Sequence, residues 1–207
     1  LTQAIRFGLS SANFNIFNAI TSVFLHVNIY HFLVNMIILL MFGLILEKNI
    51  GSSRFLLVYL ASGVVGNITE IYLLGDGIIM GASSALFGVL GTLMMREPLM
   101  RLKFLALFDV PIIIVLGGFF TVSFFVSRFI DALLVTGDIA HFVGLFTGIL
   151  IAGLIYQETI DVFYNWLFIA LGFLLLQYSL GNRISATGLY LGALLMNFYL
   201  WFFLQWL

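Results

Sequence analysis

Long apolar runs broken by short polar connectors set the pattern of this chain. An α-helix rises about 1.5 Å per residue, so it needs about 20 apolar residues to cross a bilayer core about 30 Å thick. Seven candidate segments follow, at residues 29–47, 53–74, 82–95, 110–130, 139–156, 162–180 and 187–207. The third, "ASSALFGVLGTLMM", falls short of a full crossing, and is expected to be flanked by protein or to start below the surface. The connectors "KNIGS", "GDG", "REPLMRLK", "VTGD", "QETID" and "GNRIS" are too short to hold a soluble domain. Asp109-Val110-Pro111 reads as a boundary before the fourth segment, because proline disfavours helix at the residue before it. The pattern predicts an all-α polytopic membrane bundle with a short central helix, and no internal repeat is evident.

Composition agrees with that pattern. Of 207 residues 63% are hydrophobic and 8% charged, against about 45–50% apolar content in soluble domains. The net charge of −1 gives no sign of a nucleic-acid partner, and the lack of cysteine removes disulfides, thiolate metal sites and a cysteine nucleophile together. Lys48 and Arg54 follow the first segment, and Arg96, Arg101 and Lys103 follow the third, so that side is expected to be cytoplasmic. With alternating segments, the first, third and fifth then enter from the non-cytoplasmic face.

Near those three entry points lie the polar residues that carry chemistry. The first segment has His31 and Asn35 at i and i+4, on one helix face; the third opens with Ser83 and Ser84; the fifth carries His141 near its start. All lie within about two helical turns of one membrane face. Either serine alone is accounted for as a helix N-cap or a backbone-bonded hydroxyl. A histidine or asparagine inside a membrane is costlier, because it must find a partner without water. Together they permit nucleophilic catalysis: histidine takes the serine proton, and Asn35, His31 and the backbone N–H at the start of the third helix stabilise an oxyanion. No acidic third member is obvious, since Asp138 reads as the N-cap of the fifth helix. The hydrolase elbow G-x-S-x-G fails at Ala85 and lacks a preceding strand.

Other positions read as structural. Gly88 and Gly91 on the third segment, with Gly144 and Gly148 on the fifth, present faces for close helix contact that would bring Ser83 to His141. Glu70 and Asn67 lie in the second segment; Glu70 is expected near the surface, protonated or paired. Glu47 beside Lys48 reads as a boundary anchor.

Several stretches in order resemble one family. "HVNIYHFLVNM" is similar to an H-x4-H-x3-N pattern through His26, His31 and Asn35, and "LEKNIGSSRFLLVYLASG" follows it. "GASSALFG" stands in the place of a G-x-S-x nucleophile motif, and "IAHFVGLFTG" resembles A-H-x2-G. Across about residues 20–156 the chain resembles the rhomboid family of intramembrane serine proteases.

The resemblance implies a rhomboid-like helical core of six spans whose short central helix carries the nucleophile. It implies a Ser83–His141 dyad, with Asn35 and His31 at the oxyanion, and no metal or organic cofactor. Substrates would be transmembrane proteins in the lipid bilayer, cut near the non-cytoplasmic face, most simply of the cell membrane. Residues 1–28 would be the end of an incomplete first core helix and its loop, 29–156 the catalytic core of five spans, and 157–207 two additional segments. Ser84 departs from the family, where many members have glycine. A non-catalytic rhomboid-fold protein that binds client transmembrane segments is the alternative; a transporter or channel fits less well.

Overall fold

A computed structural model describes residues 6–74, 77–97, 100–104, 108–112 and 138–156. The candidate segments at 162–180 and 187–207, and most of that at 110–130, lie outside the described residues. A short helix α1 (Ile16–Ser22) leads into α2 (Ile29–Ile50), α3 (Ser52–Leu74) and α4 (Ser83–Arg96). Two short strands follow, β1 (Arg101–Phe104) and β2 (Phe108–Pro111), and then α5 (Asp138–Ile155).

Local sequence explains where the helices start and stop. The Asn15 side chain accepts from the Asn18 N–H and the Asn28 side chain from the His31 N–H, each at 2.8 Å, from extended cap residues. Asparagine satisfies an otherwise unpaired first-turn donor in both places. Helix α2 passes through one π turn at Leu39–Gly43 and ends at Gly51, whose φ of +81° suits glycine. It runs to Ile50, three residues past the expected end at 47, so Glu47 and Lys48 fall in its last turn. The reversal at Gly51 lets α3 start at Ser52 and brings Phe55 against Gly43.

Helix α4 is the centre of the bundle. Its 14 residues span about 21 Å, too little for a bilayer crossing, and every residue from Ser84 to Met95 is buried. It packs chiefly against α5 and α3. Glycines set the approach: a Cβ on Gly148 would overlap the Gly88 carbonyl, and one on Gly144 would overlap the Ser84 carbonyl. Thr92 Oγ1 reaches the carbonyl of Gly148 across the same seam at 3.0 Å. Close packing and interhelical hydrogen bonds hold helices together in lipid, where apolar burial between helices adds little. Outward positions such as Leu40, Leu44, Leu57 and Leu154 are exposed and apolar. Among the described residues, Ile29–Ile50 and Ser52–Leu73 are long and apolar enough to cross a membrane.

One stretch departs from expectation. Where a connector and a helix boundary were expected, residues 101–104 and 108–111 pair as antiparallel strands, with Arg101 facing Pro111 and Phe104 facing Phe108. Val110 and Pro111, the expected first residues of the fourth segment, therefore belong to β2. Proline holds the preceding Val110 extended and has no N–H to donate, which suits the end of a two-stranded ribbon. Ile112 N–H then bonds back to the Met100 carbonyl at 2.8 Å, just beyond the paired strands.

Candidate active site

Three helix starts converge on one place. Ser83 is the first residue of α4, and the cap position falls at Ala82, which makes no side-chain cap bond. Neither serine therefore serves as the N-cap. The Ser83 hydroxyl lies 2.7 Å from Nε2 of His141, within one turn of the start of α5. Ser83 is half-buried and His141 buried, so the pair sits at the edge of the protein interior.

Just before Ser83 the chain comes up against α2. Gly81 has a φ of +146°, a conformation that L side chains rarely adopt. Space also demands glycine there: a Cβ would lie 2.8 Å from Cε1 of His31 and 3.6 Å from Ser83 Oγ. The His31 ring and the Ser83 hydroxyl thus flank the same glycine. Asn35 sits one turn further along α2, buried like His31.

Asn35 Nδ2, His31 Nδ1 and His141 Nδ1 are buried with no hydrogen-bond partner among the described residues. For Nε2 of His141 to accept the serine proton, Nδ1 must carry the ring hydrogen. No carboxylate meets that Nδ1 among the described residues. The imidazole is instead stacked on Phe87, with ring centroids 4.6 Å apart. The expected cap role of Asp138 concerns a side chain outside those described.

Outside the α2 helix, His26 stands in the connector before it, edge-on to His31 at 5.3 Å and to Phe32 at 5.2 Å. Burial pushes its imidazole below the ordinary value, a shift partly offset by a hydrogen bond to the Phe24 backbone.

Four contributors were not singled out by sequence as part of this site. The i+4 spacing of Phe87 from Ser83 places it on the same helix face. Asn67 and Ser22 bond in series to Ser84, and Glu70 bonds to the backbone just before His141. Glu70 is paired, as one expected alternative had it, and is buried within the protein. Ser84 forms an interhelical hydrogen bond at 2.5 Å.

Known proteins share these segments. Residues 13–158 match the family profile described as the Rhomboid domain. "Putative rhomboid protease YdcA" of Bacillus subtilis (strain 168) is 33% identical over 153 residues, covering 73% of this chain and 73% of that protein. "Rhomboid-like protease 3" of Toxoplasma gondii is 35% identical over 80 residues, 39% of this chain and 30% of the relative. "Rhomboid protease GluP" of Bacillus subtilis (strain 168) is 37% identical over 108 residues, 50% of this chain and 21% of the relative. The chain thus spans less than a third of the length of the latter two.

Proposed function

The chain belongs to the membrane-embedded rhomboid family, and from that premise we propose that it is an intramembrane serine endopeptidase with Ser83 and His141 as its dyad. The observation that carries this is the 2.7 Å contact between Ser83 Oγ and His141 Nε2 at the meeting of three helix starts. Relatives whose names call them proteases support the same class of reaction.

In this mechanism His141 Nε2 takes the Ser83 proton as Oγ attacks a substrate carbonyl carbon. Negative charge gathers on the carbonyl oxygen, and the Asn35 amide, the His31 imidazole and the first-turn N–H groups of α4 stabilise it. The intermediate collapses by breaking the C–N bond, and the new amine leaves with the proton held on His141. Water then attacks the acyl ester, gives its proton to Nε2, and Ser83 is released as its hydroxyl.

Substrates are transmembrane segments of other proteins in the lipid bilayer. An intact helix shields its peptide bonds, so glycine, proline or polar residues near the cut lower the cost of local unwinding. The basic residues after α2 and α4 put those ends in the cytoplasm, so the site opens toward the non-cytoplasmic face of a multi-pass protein. Residues 29–156 form its catalytic core.

The test incubates the purified full chain, in detergent and in proteoliposomes, with a model transmembrane substrate. Cleavage is expected from the native chain and none from Ser83→Ala or His141→Ala, with a fluorophosphonate labelling Ser83. Full cleavage by Ser83→Ala, or labelling confined to another serine, rejects the dyad. A native chain that binds the substrate without cutting it favours the client-binding alternative.

A further inference from the structure

Two buried polar side chains stand three residues apart on α3, Asn67 and Glu70, hence on one face of that helix. The Ser84 hydroxyl donates to Asn67 Oδ1 at 2.5 Å, and Asn67 Nδ2 donates to Ser22 Oγ at 3.0 Å. Ser22 in turn donates its hydroxyl to the Ala19 carbonyl at 2.9 Å, and its own carbonyl accepts the Gly81 N–H at 2.9 Å. The residue after Ser83 and the residue two before it are thus tied to the same pair, Asn67 and Ser22. Glu70 does the equivalent on the other partner: its carboxyl oxygen accepts the backbone N–H of Ala140 at 2.7 Å, immediately before His141. Between these anchors α3 comes to backbone contact with both helices, since a Cβ on Gly66 would press on the Ala140 carbonyl at 2.6 Å and on Ser84 Cβ at 2.8 Å.

We propose that Asn67 and Glu70 are positioning residues, which fix the starts of α4 and α5 in the register that sets the Ser83–His141 contact. The inference rests on the dyad assigned above. Glycine seams allow close approach but do not by themselves specify register, because one smooth face can slide on another. Hydrogen bonds are directional, and a buried polar group that loses its partner in lipid bears the full cost of desolvation. A carboxyl at the N-terminus of α5 also meets the positive end of the helix dipole. The stake is large for rate, since a misplacement of about 1 Å costs on the order of 100-fold. Ser84 has a part in this scheme: its hydroxyl gives Asn67 something to hold one residue beyond the nucleophile.

The experiment compares Asn67→Ala, Ser84→Ala, the double variant, Glu70→Ala and Glu70→Gln with the native full chain and with Ser83→Ala. It reads kcat and KM on the model transmembrane substrate, the rate of fluorophosphonate labelling at Ser83, and the thermal midpoint. Asn67→Ala and Glu70→Ala are expected to lower kcat and labelling rate about 10-fold or more, with KM changed less than about 2-fold. Glu70→Gln, which keeps the acceptor for Ala140, recovers most of the rate lost in Glu70→Ala. The double variant loses no more than Asn67→Ala alone, since Asn67→Ala already removes the bond to Ser84. Should the alanine variants of Asn67 or Glu70 fail to fold, Ser84→Ala and Glu70→Gln decide the matter. Native labelling rates in Ser84→Ala, or a Glu70→Gln as slow as Glu70→Ala, overturn the proposal. So does a fall in thermal midpoint with kcat unchanged. In each of those cases an inactive Ser83→Ala leaves the dyad standing, whereas an active Ser83→Ala removes the dyad itself.

Discussion

The ring of His141 lies 23° from parallel to that of Phe87, with centroids 4.6 Å apart, while its Nε2 reaches Ser83 Oγ at 2.7 Å. Ser83 and Phe87 are four residues apart on α4, so one helix face supplies both the hydroxyl and the platform on which the imidazole rests. In the proposed dyad, the flat contact with Phe87 holds the orientation of the His141 ring. Phe87→Leu keeps much of the volume but loses the flat face. It is expected to lower kcat about 10-fold, in steady-state cleavage assays, with a modest loss of stability. Phe87→Ala also opens a cavity worth about 3–5 kcal/mol, so its thermal midpoint falls as well. Unchanged kcat in Phe87→Leu would show that the stack is mere packing.

Gly81→Ala tests the approach of the chain to α2 just before the serine. A φ of +146° strains any L side chain, and the new methyl would sit 2.8 Å from His31 Cε1. Strain of this kind costs about 1–3 kcal/mol, and the imidazole has to move to relieve the overlap. The expected result is a drop in kcat beyond about 10-fold with helix content by circular dichroism unchanged. Native kcat would mean that the loop absorbs the methyl without moving His31.

What the sequence made legible was spacing within single elements. His31 and Asn35 share a face because they are four apart; α4 is short because its apolar run is short; Gly88, Gly144 and Gly148 line a seam because they recur at helical intervals. Contacts between distant positions were not legible. Asn67 bonds to Ser22 across 45 residues, and Glu70 to Ala140 across 70, so neither bond leaves a local pattern. A carboxyl in a membrane is costly, so a partner for Glu70 was one expectation, but that partner is a backbone N–H, which every sequence contains. The paired strands at 101–104 and 108–111 escaped for a similar reason. Strand pairing depends on the partner strand more than on intrinsic preference, and its residues alternate too irregularly to announce it.

Gly148 supplies a test of the seam itself. A side chain there meets the Gly88 carbonyl, a backbone atom that cannot rotate away, so α5 must move outward. Gly148→Val is expected to lower the thermal midpoint by several degrees and to abolish cleavage, because His141 travels with α5. Leu154→Ala, on the same helix but 83% exposed, is the control and stays within about 0.5 kcal/mol of native stability. Equal effects at the two positions, in thermal melts, would argue against a glycine-dependent seam.

Asn35 should separate activity from stability. Its Nδ2 is buried without a partner among the described residues, a desolvation cost that an oxyanion would offset in the proposed mechanism. Asn35→Leu, of similar size and apolar, is expected to leave stability unchanged or raise it by about 1 kcal/mol. The same change is expected to cut kcat about 100- to 1000-fold with little effect on KM, as for loss of one oxyanion donor. Parallel loss of stability and kcat would place Asn35 in the framework instead.

Acid should weaken the fold through His26, and the sign can be worked out from its burial. Desolvation, the larger effect, lowers its pKa from 6.5, and the Phe24 backbone bond opposes that only in part. The folded protein therefore resists a proton that the unfolded chain accepts near pH 6.5. Above that value both states hold His26 neutral and it contributes no pH dependence; as pH falls below it, the unfolded state alone gains the proton and stability declines. The decline levels off once pH passes the lower folded value. His26→Phe keeps the edge-on contacts with His31 and Phe32 but cannot titrate. Thermal midpoints measured between pH 7.5 and 5 are thus expected to fall for the native chain and to fall less steeply for His26→Phe. Parallel curves for the two proteins would assign the acid sensitivity to other groups.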